Sequence, residues 1–287
     1  MRFPSGVRAL NHRDYRLFWS GQAVSVVGTW MQTVGQSWLV LELTDSPFKL
    51  GLVGALQWTP MLLFSFVGGA IVDRVPKRRL IIATQTALTI QAFTLGLLVW
   101  THVVQYWHVA VLAFLLGLVN TADIPARQSF IVEMVGPEDL INGIALNSAE
   151  FNAARVVGPA VAGLLISRFG IAQAFFLNGA SFLAVIAALL AVRAEGLPRP
   201  QGGGSMAQQI AEGIRYATRS PRVSLILSLV LAISIFVVNY NVMVPLLARD
   251  VLHQGAHGFG LLMAAIGAGA LTGAIALALL GQGRPPL

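Results

Sequence analysis

Ionisable side chains lie inside the long apolar runs of this 287-residue sequence, and they are the residues that could do chemistry. Glu150 and Arg155 fall within the run 140–166, and Asp123 lies near the end of the run 107–126. A carboxyl group in an apolar interior could take up and release a proton, and a guanidinium there could bind an anionic substrate. Arg155 could equally be a packing residue that pairs with a carboxylate or with carbonyl oxygens.

A row of uncharged polar side chains follows one side of the first apolar run, 16–41. Spacings of 3, 4, 3 and 4 residues place the row on one face of a helix. In lipid such a face must contact protein or water. It therefore either lines a cavity for a neutral or mixed small molecule or makes hydrogen bonds between helices. Its members are Gln22, Ser25, Thr29, Gln32 and Gln36, and the later residues Asn120 and Asn152 are further candidates for the same roles.

The composition identifies the class of protein that positions these residues. Hydrophobic residues make up 56% of the chain and charged residues 11%. Soluble domains have about 25% charged residues, so the composition predicts an all-α integral membrane protein in contact with membrane lipid. A membrane-spanning helix needs about 20 mainly apolar residues. The candidate runs are 16–41, 48–71, 80–101, 107–126, 140–166, 172–192, 222–247 and 258–280.

The basic residues predict the orientation of the chain. Its net charge is +7, which in a soluble protein would suggest binding to nucleic acid. Here most of the 19 Lys and Arg residues lie at the N-terminus and in alternate connections between the runs, and such clusters mark the cytoplasmic side. We therefore expect a multi-pass protein of a bacterial inner membrane with a cytoplasmic N-terminus, and no nucleic-acid partner.

Metal and covalent chemistry are not expected. The chain has no cysteine, which excludes disulfides and thiolate ligands. His253 and His257 have the i, i+4 spacing of metal ligands on a helix. Gly255 lies between them, so ordinary loop histidines are the better interpretation. The sequence also has no nucleophile elbow and no phosphate-binding glycine loop, so an enzyme is not expected.

A dodecamer between the second and third runs carries a specific pattern. Residues 68–79 read GGAIVDRVPKRR, a basic connection too short to be a domain. The pattern G-x-x-x-D-R-x-x-[KR]-R resembles the signature loop of the major facilitator superfamily, with Pro76 where that family usually has glycine. The matching residues are Gly69, Asp73, Arg74, Lys77, Arg78 and Arg79.

Longer stretches resemble one subgroup of that superfamily, the bacterial transmembrane secretion effectors, which include enterobactin-type exporters. These stretches are residues 11–32, 43–57 and 120–165. Part of the last one is similar to the antiporter motif G-P-x-x-G-G, with Ala162 in place of the first closing glycine. Small residues let helices approach closely and proline bends them. The packing residues of this motif are Gly158, Pro159 and Gly163.

The resemblance implies a major facilitator fold, in which two six-helix lobes are parallel repeats about an axis along the membrane normal. Residues 1–192 would form the complete N-terminal lobe. Residues 193–221 would form a cytoplasmic linker with an amphipathic helix over 206–220, and residues 222–287 would form two helices of the second lobe. Transport would then need the missing C-terminal helices or a second chain.

The function that the resemblance implies is secondary active efflux of small amphiphilic molecules, drug-like or siderophore-like, by alternating access. The proton gradient would supply the energy, without a bound cofactor, and Asp123 and Glu150 are the candidate proton-binding groups. The alternative is a truncated, non-transporting membrane protein or a fragment of a twelve-helix carrier.

The resemblance also implies contacts for the signature loop. In the family, the loop aspartate caps a helix of the second lobe, and a loop arginine pairs with an acid at the end of the fourth helix. Carried over by motif position, Asp123 is expected to pair with Arg74 or Arg78. Asp73 is expected to contact a loop arginine, while the helix that it would cap is not among the predicted ones.

Overall fold

Helices form the regular structure of the part of the chain that the computed structural model describes, residues 4–198, 215–216, 218–236 and 240–280. The prediction of an all-α protein is confirmed. A 3₁₀ helix, Ser5–Asn11, comes first. The α-helices are α1 (Arg13–Thr44), α2 (Pro47–Arg74), α3 (Lys77–Trp100), α4 (Tyr106–Phe169), α5 (Ala172–Ala191), α6 (Pro221–Phe236), α7 (Tyr240–Leu246), which a π-helix (Leu247–Val251) follows, and α8 (Ala256–Leu280).

Five of these helices are long and apolar enough to cross a membrane: α2, α3, α4, α5 and, over Ala256–Gly273, α8. Helix α1 has 32 residues, but its row of polar side chains makes it less apolar. The predicted seventh span, 222–247, is divided between α6 and α7, and residues 237–239 between them lie outside the described residues. The predicted amphipathic helix also lies largely outside them, over 206–214.

One 64-residue helix, α4, covers two of the predicted spans. Gly136 interrupts it with φ 70° and ψ 173°, a backbone conformation that glycine adopts without steric cost. Pro137 begins the next segment, as proline commonly does at the first position of a helix. The sequence predicted a connection over residues 127–139 between the two spans. In the structure these residues are helical, and the helix is interrupted at Gly136. We call residues 106–135 segment α4a and residues 137–169 segment α4b.

Glycines of α1 set its distance from α5. Gly21, Gly28 and Gly35 follow one another two helical turns apart. A Cβ atom added to Gly28 would lie 2.7 Å from Oδ1 of Asn178, and one added to Gly21 would lie 2.9 Å from the carbonyl oxygen of Ala184. Only residues without side chains allow the two helices to pack this closely.

Helix α8 packs against α4b and α1. A Cβ atom added to Gly163 of α4b would lie 3.0 Å from the carbonyl oxygen of Ala256 and 3.1 Å from Cα of Gly260. Trp38 of α1 stacks on Phe259, with ring centroids 6.0 Å apart. A helix that the sequence assigns to the second lobe thus packs directly against helices that the sequence assigns to the first lobe.

Candidate functional site

A cavity of about 60 Å³ lies between α1, α2, α3, α4a and α5. Pockets for drug-sized ligands have roughly 300–1,000 Å³, so these helices alone do not enclose such a molecule. Most of the lining side chains are polar, and Arg127 is the charged one. The lining residues are Thr29, Gln32, Thr33, Gln36, Gln57, Leu88, Leu116, Asn120, Arg127, Asn178 and Phe182.

Amide side chains in the cavity wall are joined by hydrogen bonds between helices. Nε2 of Gln32 donates to Oε1 of Gln91 at 3.1 Å, and Nδ2 of Asn178 donates to Oε1 of Gln32 at 2.6 Å. Nε2 of Gln36 donates to Oε1 of Gln57 at 3.0 Å. Both interpretations of the polar row therefore hold for Gln32 and Gln36, because these residues line the cavity and also connect α1 to its neighbours.

The other members of the polar row have different surroundings. Thr29 lines the cavity, and its hydroxyl donates to the carbonyl oxygen of Ser25 within α1. Gln22 lies more than a helical turn closer to the N-terminus of α1, where Nε2 donates to Oδ1 of Asn147 on α4b at 2.6 Å. Gln22 is thus a contact between α1 and α4b rather than part of the cavity wall, whereas Asn120 does line the cavity.

Asp123 is fully buried and has its cation on the same helix. Nη2 of Arg127 lies 2.5 Å from Oδ2 of Asp123, one helical turn away. Thr84 and Gln85 of α3 donate hydrogen bonds to Oδ1 at 2.5 and 2.9 Å. The predicted pairing of Asp123 with Arg74 or Arg78 is therefore wrong. The i, i+4 spacing of Asp123 and Arg127 on one helix is the signal in the sequence that indicates the observed pair.

The signature loop carries a second ion pair. The side chain of Lys77 is 1% exposed, and its Nζ lies 2.8 Å from Oε1 of Glu133 on α4a. Nζ also donates to the carbonyl oxygen of Leu197 at 2.6 Å. Gly196, with φ +67°, lies so close to this lysine that an added Cβ atom would be 2.7 Å from the lysine Cβ. The loop therefore holds the segment that follows α5.

The other loop residues extend this contact or face outward. Nε of Arg78 donates to the carbonyl oxygen of Leu189 at 2.7 Å. Asp73 and Arg79 are exposed, and no atom lies within 4 Å of a Cβ atom added to Gly69. Lys77 and Arg78 turn toward the end of α5, and the contact of Asp73 with a loop arginine stays a prediction.

The N-terminal residues reinforce the same end of the bundle. Oδ2 of Asp14 accepts hydrogen bonds from the backbone amides of Arg193 and Ala194, at 3.1 and 2.8 Å. Asp139, at the start of α4b, accepts one from Nε2 of His12 at 2.8 Å and pairs with Arg8. We call this region, residues 8–16, 73–79, 133–142 and 189–198, the basic end of the bundle.

Glu150 of α4b is buried without a hydrogen-bond partner. The residue is 6% exposed, and neither carboxyl oxygen has a hydrogen bond among the described residues. Oε1 of Gln22 is likewise buried without a donor. The amide of Gln22 lies beside this carboxyl group, and the hydroxyl of Tyr15 is a further group of α1 within its electrostatic range. The hydroxyl of Tyr15 itself donates to the carbonyl oxygen of Gly143 at 2.9 Å.

The remaining polar candidates on α4b make local contacts. Nδ2 of Asn152 donates to the carbonyl oxygen of Ser148 on the same helix at 2.8 Å. Arg155 is partly buried, and its Nε has no hydrogen-bond partner among the described residues. A Cβ atom added to Gly267 of α8 would lie 2.7 Å from the carbonyl oxygen of Arg155. Arg155 thus lies where α4b meets α8, away from the cavity.

The G-P-x-x-G-G-like motif lies between three helices. A Cβ atom added to Gly158 would lie 2.9 Å from the carbonyl oxygen of Val27 on α1. Five residues later, Gly163 contacts α8, as described above. Pro159 is buried between them, and its carbonyl oxygen faces Gly260. The motif therefore lets α4b pack against α1 and α8.

Residues at the C-terminal end of α1 contact the π-helix. Nη2 of Arg249 lies 2.5 Å from Oδ1 of Asp45, and Nη1 donates to the carbonyl oxygen of Leu41 at 3.3 Å. Asp45 ends α1 in a left-handed conformation with φ 48°. We call this region, residues 38–49 and 247–260, the opposite end of the bundle.

Known proteins resemble this chain over nearly its whole length. The sequence profile of the transmembrane secretion effector family matches residues 5–283. The staphyloferrin A transporter of Staphylococcus aureus is 22% identical over 265 residues, which cover 91% of this chain and 66% of that protein. The multidrug efflux pump Tap of Mycolicibacterium fortuitum is 26% identical, with 89% and 64% covered. The enterobactin exporter of Shigella boydii is 25% identical, with 92% and 63% covered.

The chain spans slightly less than two thirds of the length of these relatives. The match to the family profile nevertheless covers almost all of it, and its helices have the length and apolar character of membrane spans. The predicted resemblance to the transmembrane secretion effectors, made from residues 11–32, 43–57 and 120–165, is thereby confirmed. This chain is a multi-pass membrane protein that belongs to the transmembrane secretion effector family of the major facilitator superfamily.

Proposed function

We propose that the chain is part of a secondary exporter that moves small amphiphilic molecules out of a bacterium in exchange for protons. The observation that carries this proposal is the arrangement around the cavity. A wall of amides holds one guanidinium, that of Arg127, which pairs with the buried carboxyl group of Asp123, and a second buried carboxyl group, that of Glu150, lies on α4b. Relatives with drug and siderophore cargos support the same class of function.

The cavity is one wall of a larger substrate site in this proposal. Its amides offer both donors and acceptors, which suits neutral or mixed cargo, and Arg127 adds tolerance for an anionic group. The second wall would come from further helices of the second lobe or from a second chain. Rocking of the two lobes about this site would expose it alternately to each side of the membrane.

The proton-binding group in the proposal is Glu150. A charged carboxylate without hydrogen bonds is costly in an apolar interior, so the protonated form fits the surroundings better. A proton on Glu150 would also satisfy Gln22, because the carboxyl O–H could donate to Oε1 of Gln22, which is otherwise buried without a donor. Protonation of Glu150 would thus give a hydrogen-bond partner both to its own carboxyl group and to Oε1 of Gln22.

The basic end of the bundle is cytoplasmic in this proposal. Lys and Arg residues concentrate there, and clustered positive charge is retained on the cytoplasmic side of bacterial membranes. The chain has no cysteine, so single engineered cysteines report orientation without background. In intact cells a membrane-impermeant maleimide should label Phe48→Cys at the opposite end and leave Arg79→Cys at the basic end unlabelled. The reverse pattern would contradict the assigned orientation.

Transport in everted membrane vesicles tests the function. Vesicles containing the full-length gene product should accumulate ethidium or enterobactin when the interior is acidified, and dissipating the pH gradient should abolish the accumulation. Glu150→Gln, which cannot release a proton, should remove this dependence on the gradient, whereas Glu138→Gln, at an exposed acid of α4b, should not. Accumulation that persists in the wild type without a gradient would contradict proton exchange.

A further inference from the structure

One carbonyl oxygen in the wall of the cavity between α1 and α5 has no hydrogen-bond partner. Among the residues that line this cavity, Gln36 is the one with a buried side-chain atom, Oε1, to which no described residue donates a hydrogen bond. Gln36 is 7% exposed, and a buried acceptor without a donor is costly. We propose that Gln36 selects cargo that carries a hydrogen-bond donor, a hydroxyl or an N–H group. This inference rests on the proposed function, in which the cavity is one wall of the substrate site.

A second glutamine of the same wall has partners at both ends of its amide. Oε1 of Gln32 accepts a hydrogen bond from Nδ2 of Asn178 at 2.6 Å, and Nε2 of Gln32 donates to Oε1 of Gln91 at 3.1 Å. One helical turn later, Gln36 has a partner for its nitrogen only, because Nε2 donates to Oε1 of Gln57 at 3.0 Å. Gln32 is therefore committed to contacts between helices, whereas the oxygen of Gln36 is the atom left for cargo.

An aromatic surface adjoins this free oxygen. Gln57, the partner of Gln36, also lines a second, smaller cavity, whose wall includes Trp58 and Met61 of the same helix. Trp58 is 61% exposed, and an indole ring offers a face on which planar aromatic groups stack. A planar aromatic cargo could lie against Trp58 while its hydroxyl or N–H group reaches Gln36. The substrate class that fits this surface is therefore a flat aromatic molecule with a donor at its edge.

The selection follows from what happens when cargo covers the wall. A site with a buried hydrogen-bonding group rejects an analogue that lacks the matching group, because the group of the site then stays unpaired. The net value of one hydrogen bond corresponds to about a tenfold difference in affinity. The charge of the cargo is not what Gln36 reads. Arg127, the charged residue of this wall, is already paired with Asp123.

Binding of two matched dyes to the full-length gene product in lipid nanodiscs tests this inference. Thionine is a planar cation with two amino groups, and methylene blue is the same ring system with every N–H replaced by N-methyl. Equilibrium dialysis measures both affinities, and nanodiscs without protein correct for dye in the lipid. The wild type should bind thionine more tightly than methylene blue. Gln36→Met keeps the length of the side chain without the acceptor, so it should weaken thionine binding about tenfold and leave methylene blue binding unchanged.

Three further variants keep the test sharp. Gln36→Glu retains an acceptor at the same place and should retain the preference for thionine, since its added charge attracts both cations equally. Gln254→Met removes an exposed glutamine of the opposite end and should leave both affinities unchanged. Gln32→Met breaks two hydrogen bonds between helices and should lower the melting temperature without cargo more than Gln36→Met does. Circular dichroism checks folding, and the preference of the wild type is read on its own if Gln36→Met does not fold.

The outcomes separate the inference from the function on which it rests. If neither dye binds and everted vesicles accumulate neither dye nor ethidium, the proposed export of amphiphilic molecules fails together with the inference. If vesicles accumulate these compounds but Gln36→Met weakens both dyes equally or neither of them, selection by Gln36 is wrong while the proposed function stands. Accumulation of ethidium by a wild type that binds no thionine would also overturn the selection.

Discussion

The two ends of the helix bundle are held together in different ways. At the basic end, the polar contacts join elements of the first lobe to one another and to the segment after α5: Lys77 to Glu133 and Leu197, and Arg78 to Leu189. At the opposite end, contacts join the first lobe to residues assigned to the second lobe, through Arg249 and through α8.

Under the proposed function, this difference separates contacts that would persist from contacts that would break. Contacts within one lobe are unaffected when two lobes rock apart, so in the proposed cycle the basic end would keep its buried ion pair. Contacts between the lobes oppose opening at the end where they lie. The contacts at the opposite end are an exposed ion pair and packed glycines. The exposed pair is weaker than a buried charge pair, and the packed glycines are more easily separated.

The largest effect is expected from the buried pair at the basic end. Glu133→Gln leaves the ammonium group of Lys77, 1% exposed, without its counter-charge, and should lower the free energy of unfolding by about 3 kcal/mol. Lys77→Met should cost less, because the side chain of Glu133 is 28% exposed and can be hydrated. Unfolding in mixed micelles measures both. If the double variant loses as much unfolding free energy as the two single variants together, the two residues do not pair directly.

The packed glycines of the opposite end come next. A Cβ atom on Gly260 would lie 2.8 Å from Cα of Gly163, so Gly260→Val should force α8 away from α4b at a cost of about 1–3 kcal/mol. Gly269→Val is the matched control, since no atom lies within 4 Å of its added Cβ. Spin labels at Ser167→Cys and Leu261→Cys should report a longer distance only in the first variant. Equal distances in both would show that this contact does not set the packing.

The exposed pair of the opposite end should have a smaller effect. Asp45 is 85% exposed, and exposed pairs contribute about 0–1 kcal/mol. Asp45→Asn keeps a residue that tolerates the left-handed backbone at this position and should lower the melting temperature slightly at low salt and not at high salt. A loss of stability that is independent of salt would mean that Asp45 acts through the backbone rather than through its charge.

The smallest effect is expected at the N-terminal contact of the basic end. Hydrogen bonds from His12 and then Arg8 lower the pKa of Asp139, which lies at the start of α4b, before the predicted span 140–166. Because a lowered pKa stabilises the ionised, folded form, the contact should be complete above the ordinary aspartate range and lost as the pH falls through the lowered value. Asp139→Asn should speed amide exchange in Ser5–Asn11 at neutral pH. Unchanged exchange would show that backbone contacts alone hold this 3₁₀ helix.

Sequence patterns predicted the features that depend on neighbouring residues. The spacing of Gln32 and Gln36 predicted a polar face that lines a cavity or bonds to other helices, and both residues do both. The partner of Asp123 was predicted from a loop motif and was wrong, although its true partner lies one turn away on the same helix. The break at Gly136 was predicted as a longer connection, since nothing in the local composition shows that one residue suffices.

The amino-acid sequence by itself determined that the chain is helical and crosses a membrane, because runs of apolar residues must satisfy their backbone hydrogen bonds internally in lipid. It also determined the family, through motifs that lie in order along the chain. Only the tertiary structure decided which buried charges meet. Lys77 reaches Glu133, Arg127 pairs with Asp123, and Glu150 is buried beside Gln22 without a hydrogen bond from any residue that the structure describes. Such pairings depend on distances of a few ångströms between helices, which packing sets and local sequence does not encode.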